Sequence, residues 1–199
     1  MEHPIVFDIE TQNTFRDVGA YEPTLLNVSL VGIYDYRTDA YESFLEHELD
    51  KLWPRLERAS LIIGFNSLHF DLPILNRYYT GDLMKLPSLD LLVPVKEALG
   101  RALRLEDLAQ GTLGYGKTGS GLEAINLFRE KKFDVLREYC LSDVKITKEI
   151  YEHGRDHGFL KYKTPLGIKQ VSVDFRPTIA VPKINFTLPT IFKFSADNF

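Results

Sequence analysis

Most residues of this 199-residue chain that pair a reactive group with a telling position are carboxylates. Tyr139 and Asp143 stand four apart in a run whose apolar spacing predicts a helix from residue 133 to about 153, so both lie on one face. Asp8 and Glu10 alternate with Phe7 and Ile9 in a strand-like segment, which sends the two carboxylates to one side and the two apolar side chains to the other. Asp71 follows a short apolar run, Leu-Ile-Ile-Gly-Phe-Asn, at a strand-to-helix junction where ligands of α/β sheets usually bind. Each has a plainer reading alone: a solvated strand end for Asp8 and Glu10, a helix N-terminal carboxylate for Asp71. Together they suit hydrolysis at phosphorus by two cations held about 3.5–4 Å apart, which activate a water and stabilise the leaving oxygen. Oxygen ligands point to two Mg2+ or Mn2+ ions, and no second His stands at metal spacing from His69.

The elements that must position these groups can be read in outline. Strand patterns cover residues 4–11, 25–36, 40–44, 61–66 and 86–92, the first three suited to an antiparallel meander. Residues 12–24 read as a loop, and 46–59 as a helix with Pro54 in its middle. A helix is expected from residue 67 to about 79, with more at 95–99, 105–110 and 122–129 before the long one. Strands first and helices later around one core make an α/β chain with a mixed sheet. Residues 159–163 and 168–175, split by Thr-Pro-Leu-Gly, make a hairpin whose Lys161, Lys163 and Lys169 interleave with aromatics, a pattern that also suits an ordinary solvated surface. The expected organisation is a domain over 1–158, the hairpin over 159–176, and a Pro/Phe-rich tail over 177–199 able to dock on this domain or on a protein partner.

Gly111-Thr-Leu-Gly-Tyr-Gly-Lys117-Thr118 satisfies the P-loop pattern by letter. The mechanism of that loop needs a strand before it and a helix starting at its Lys. Here a helical pattern precedes it and Gly119-Ser120-Gly121 follows, so a flexible loop placing Lys117 near a nucleic-acid backbone is the better reading. The net charge of −4 argues against wholesale coating of nucleic acid, but the chain is acid-rich before residue 95 and base-rich from 96 to 170, which suits a metal pocket beside a phosphate-tracking surface. The single Cys140, read as structural, excludes an internal disulfide, and no transmembrane run or signal peptide is evident. The expectation is a cytoplasmic protein with no membrane partner.

Phe7-Asp8-Ile9-Glu10-Thr11, Gly64-Phe65-Asn66-Ser67-Leu68-His69-Phe70-Asp71 and Tyr139-Cys140-Leu141-Ser142-Asp143 resemble the three exonuclease motifs of the DEDD superfamily, DnaQ-like with an RNase H-like fold. The Tyr-x-x-x-Asp form of the third is similar to the DEDDy branch, and its wording to the proofreading exonuclease domain of family B DNA polymerases; in the His-containing branch position 138, here Glu138, would be His. The resemblance implies a five-stranded sheet, strands 1–3 antiparallel and 4–5 parallel, flanked by helices. It implies that Asp8, Glu10 and Asp143 bind the ion nearer the nucleophile, that Asp8 bridges to a second ion supported by Asp71 largely through water, and that Tyr139 orients the attacking water. Asn66 and Phe70 would contact terminal nucleotides. The implied activity is 3′-to-5′ hydrolysis of a single strand, DNA or RNA, to nucleoside 5′-monophosphates. With no room here for palm and finger domains, a stand-alone nuclease is expected. The rival readings are an RNase H-type endonuclease, against which the Tyr139–Asp143 pair argues, and a non-catalytic nucleic-acid-binding or partner-recruiting module.

Overall fold

The computed structural model describes residues 3–116, 119 and 121–175. Its elements are β1 (Pro4–Thr11), α1 (Phe15–Val18), β2 (Val28–Asp35), β3 (Ala40–Leu45), α2 (Trp53–Arg58), β4 (Leu61–Gly64), α3 (Asp71–Asn76), β5 (Ser88–Asp90), α4 (Leu92–Leu99), α5 (Leu105–Thr112), α6 (Gly121–Arg129), α7 (Phe133–His157), β6 (Phe159–Thr164) and β7 (Gly167–Ser172). Five strands form one sheet in the order β3-β2-β1-β4-β5, and β6 and β7 form a separate hairpin. β1, β2 and β3 pair antiparallel, whereas β1–β4 and β4–β5 are parallel. The mixed sheet, its strand directions and the C-terminal hairpin agree with the sequence expectation. The position and loop of Lys117, and the tail at 177–199, lie outside the described residues.

Period-two alternation assigns each strand residue to a layer. Ile5, Phe7 and Ile9 of β1 join Val31, Ile33 and Ile62 in a core closed by Leu56 of α2 and Leu72, Ile74 and Leu75 of α3. Val6, Tyr34 and Ile63 face the opposite layer, built from Leu108 of α5, Val144 and Ile150 of α7, and Leu160, Val171 and Phe175 of the hairpin region. Asp8 and Glu10 share the parity of Val6 and therefore belong to the α7 side. α7 meets the sheet with a stripe at helical spacing, Leu136, Cys140, Asp143, Val144, Thr147, Ile150 and Gly154.

Three local expectations are refined. The predicted 46–59 helix is a 3-10 turn, Glu46–Lys51, followed by α2, because Pro54 suits a first helical turn, where its missing N–H is no loss. The helix expected from 67 begins only at Asp71, after a turn in which the His69 and Phe70 amides donate to the Asn66 carbonyl. Residues 12–24 hold two short helical turns rather than a bare loop: Thr14 accepts from the Asp17 amide while Asp17 accepts from the Thr14 amide, a reciprocal cap. Gly111, first residue of the P-loop-like pattern, sits inside α5 against the Tyr162 backbone, where a Cβ would collide. Its small size serves helix–hairpin packing. Among the described residues no helix is long and apolar enough to cross a membrane.

The hairpin region shares the core, since Phe175 is 1% exposed, stacks on Tyr151 and fills the space left by Gly154 of α7. Phe175→Ala should therefore lower the free energy of unfolding by about 3–5 kcal/mol, read from urea denaturation. A loss under about 1 kcal/mol would mean that this segment does not contribute to the core.

Candidate active site

The site begins where strand pairing stops. β1 pairs with β4 only from Pro4 to Val6, while its pairing with β2 runs on to Thr11 through an irregularity at Glu10/Thr11. Past Val6, one edge of β1 has no strand beside it. Asp71, the first residue of α3, supplies an acceptor there: its Oδ1 accepts from the Ile9 amide at 3.2 Å. The carboxylate is thus drawn from a separate segment to within one residue of both Asp8 and Glu10.

Asp90 holds the turn that brings Asp71 round. Its buried carboxylate accepts from the Asn66 amide at 2.7 Å, the Leu68 amide at 3.1 Å and the Leu92 amide at 3.0 Å. Asn66 takes a left-handed backbone (φ 62°), a conformation that asparagine tolerates better than most residues. Gly64 lets the turn fold back tightly, since a Cβ there would come within 2.6 Å of Ser67 Cβ and 3.0 Å of the Phe7 ring. Phe70 has non-helical backbone angles (φ −126°, ψ −70°), so α3 starts only at Asp71.

From the other side α7 delivers Asp143, its carboxylate almost fully buried. The close approach depends on Gly32 of β2, directly beneath the helix: a Cβ at Gly32 would lie 2.9 Å from Cys140 Sγ and 3.0 Å from Val144 Cγ2. Cys140 Sγ in turn sits 3.6 Å from the Asp8 carbonyl oxygen and 4.0 Å from Asp8 Oδ2, contacts to a weak thiol donor. Burial pushes the thiol well above its ordinary pKa, and the charges of Asp8, Glu10 and Asp143 push it further, only partly offset by a backbone hydrogen bond with Gly32. The three carboxylates therefore act on one small volume.

Asp8, Glu10, Asp71, Tyr139 and Asp143 all line one cleft of about 340 Å³, together with Asn66 and Phe70. The remaining wall comes from residues 13–15, Leu26 and the start of α6, which the sequence reading did not include. The Thr14-x-x-Asp17 cap was a legible signal for part of it. Gly119 touches the Tyr139 ring, where a Cβ would lie 2.8 Å from Cε2.

The residues fit divalent cations. One ligand atom from each of Asp8, Glu10 and Cys140 can be chosen so that all lie within 4.8 Å of one another. The neutral thiol is a poor ligand beside the carboxylates, whose hard oxygens suit Mg2+ or Mn2+. Burying carboxylates as far as Glu10, Asp71 and Asp143 are buried is costly without donors or cations, and divalent ions would add to the Ile9 amide in that role.

A model of the RNase_H superfamily matches residues 5–155. No curated protein sequence matches the chain. Among solved structures the chain is similar to the family B DNA polymerase from the hyperthermophilic archaeon Pyrobaculum calidifontis, with a TM-score of 0.59 and 17% identity over 77% of this chain and 24% of that one. The chain thus spans about a quarter of that polymerase, and at this identity the likeness is one of fold.

Two substitutions test the scaffold. Gly32→Ala should cost about 1–3 kcal/mol through overpacking and weaken Mn2+ binding by calorimetry, with partial recovery in the double variant with Cys140→Ala; unchanged Mn2+ affinity would show that helix height does not matter. Asp90→Ala leaves three amides without their acceptor and should destabilise by about 3 kcal/mol or more, measured by chemical denaturation. A loss within 1 kcal/mol would mean that the turn holds without it.

Proposed function

The chain belongs to the RNase_H superfamily, and from that premise we propose that it is a metal-dependent 3′-to-5′ exonuclease that shortens single-stranded DNA, with RNA as a second candidate substrate, to nucleoside 5′-monophosphates. The observation that carries the reading is convergence. Asp8 and Glu10 from β1, Asp71 from α3, and Tyr139 and Asp143 from α7 border one cleft, although they are scattered over most of the sequence. Their order and spacing resemble those of the three DEDDy motifs.

In this reading Asp8, Glu10 and Asp143 would hold one divalent ion, and Asp8 with Asp71 would hold a second. Ions held there would supply Lewis-acid activation of a water and charge stabilisation at the leaving oxygen. The Tyr139 hydroxyl orients the water for in-line approach, the Gly119 backbone packing beside its ring. Water oxygen bonds to phosphorus, the P–O3′ bond breaks, and the departing O3′ takes up a proton to become the next strand end. Asn66 and Phe70 border the same cleft and would meet the terminal nucleotide. Asp71 has a second duty, since the oxygen that accepts from Ile9 ties its orientation to β1.

Incubation of 5′-labelled single-stranded DNA and RNA with Mg2+ or Mn2+ tests this directly. The expected product is a ladder shortening one nucleotide at a time from the 3′ end, abolished by chelation. Asp8→Ala and Asp143→Ala should each lose roughly a hundredfold or more, and Tyr139→Phe about tenfold, as for loss of one positioned donor or less. Internal cuts would replace this reading with an endonuclease, and metal-dependent binding without cleavage of either polymer with a non-catalytic module.

A further inference from the structure

The cleft wall includes two aromatic rings, Phe15 and Phe70, and a third, Tyr21, rests on Phe15 outside the cleft lining. Phe70 lines the cleft, and Phe15, the first residue of α1, lines it beside Phe70 in an edge-to-face contact with ring centroids 6.1 Å apart. Tyr21 lies over Phe15 with centroids 4.3 Å apart and planes 35° from parallel. Burial falls off along the series. Phe15 and Phe70 pack against the β1–α3 core, whereas Tyr21 is 89% exposed. A ring left so far in water adds little to folding stability, so its place on Phe15 is not explained by the core.

The wall is held in place. The reciprocal cap between Thr14 and Asp17 fixes α1, Asn13 accepts from the Asn27 amide at 2.9 Å, and Arg129 of α6 pairs with Asp17 at 3.1 Å. The backbone that carries Phe15 is therefore preorganised, and Tyr21 rests on that ring.

We propose that Tyr21, backed by Phe15, is a stacking platform for an unpaired base upstream of the scissile phosphate, continuing outward from the terminal site at Phe70. The ligand class is the bases of a single strand, of any sequence, because every base has a π-face. Bases within a duplex already use both faces in stacking, so the platform favours single strands. This inference rests on the exonuclease reading for the polarity of the strand. It adds a second base-binding position, separate from the carboxylates.

The test is equilibrium binding, with Ca2+ in place of Mg2+, of a fluorescein-labelled single-stranded decamer and a labelled dinucleotide to wild type, Tyr21→Ala, Tyr21→Phe and Phe15→Leu. Hydrolysis is read separately with Mg2+. Tyr21→Ala should weaken decamer binding about tenfold, in line with loss of one stacked base. Dinucleotide binding should change less than twofold, Tyr21→Phe should restore decamer affinity, and Phe15→Leu should give an intermediate loss. The melting temperature of Tyr21→Ala should stay at that of wild type. 2-Aminopurine placed one position at a time upstream of the 3′ end should report a single position whose quenching is lost in Tyr21→Ala. Equal weakening for decamer and dinucleotide, or wild-type decamer affinity in Tyr21→Ala, overturns the platform. Tyr21-dependent decamer binding without hydrolysis would sink the exonuclease reading and leave the platform standing; no single-strand binding by the wild type would sink both.

Discussion

An unpaired strand edge organises this molecule. β1 outlasts its parallel neighbour β4, and the backbone amide of Ile9, buried beyond the last β4 pair, must find an acceptor. Asp71 supplies it. A sheet requirement and a candidate metal-site requirement are thereby met by one carboxylate, which places α3 and sets the distance between the second motif and the first. The cleft opens at the end of parallel strands, where chain departures to either side leave room.

The second constraint is helix height. α7 must lie low on the sheet if Asp143 is to reach the volume occupied by Asp8 and Glu10, and a side chain at Gly32 would press against it. Close packing makes such a spacing stiff, because a dense interior transmits a displacement of a few tenths of an ångström instead of absorbing it. Cys140 fills the remaining gap between helix and strand, small enough to fit and neutral enough to sit among carboxylates. Serving packing and occupying the cluster are compatible for this residue, and reading it as structural captured the first half.

Side-chain periodicity made a good part of this legible in advance. Asp8 and Glu10 on one face, and Tyr139 four residues before Asp143, follow from the repeats of strand and helix alone, and the strand directions followed from the segment order and the motif resemblance. What escaped was carried by backbone. Asp90 acts on the amides of residues 66, 68 and 92, which have no side-chain signature, so its strand was recognised and its work was not. The role of Gly32 lies in its contact with the helix above it and has no signature within its own strand. The start of α3 escapes for the same reason, because the non-helical backbone of Phe70 has no side-chain signature. The wall around Phe15 was closer to legible, its cap being written in Thr14 and Asp17.

The distance along the chain between Cys140 and Asp8, 132 residues, has a consequence for how the protein is made. α7 cannot dock on β1 until nearly the whole described chain has left the ribosome, and Phe175 joins that layer later still. Such non-local closure carries a high loop entropy before its contacts repay it, so the topology folds slowly compared with a helical bundle of equal length. During that interval the first two carboxylates lie on a strand with no helix over it. The carboxylate constellation is thus a late product of folding, and a nascent chain holds its parts apart until α7 has emerged.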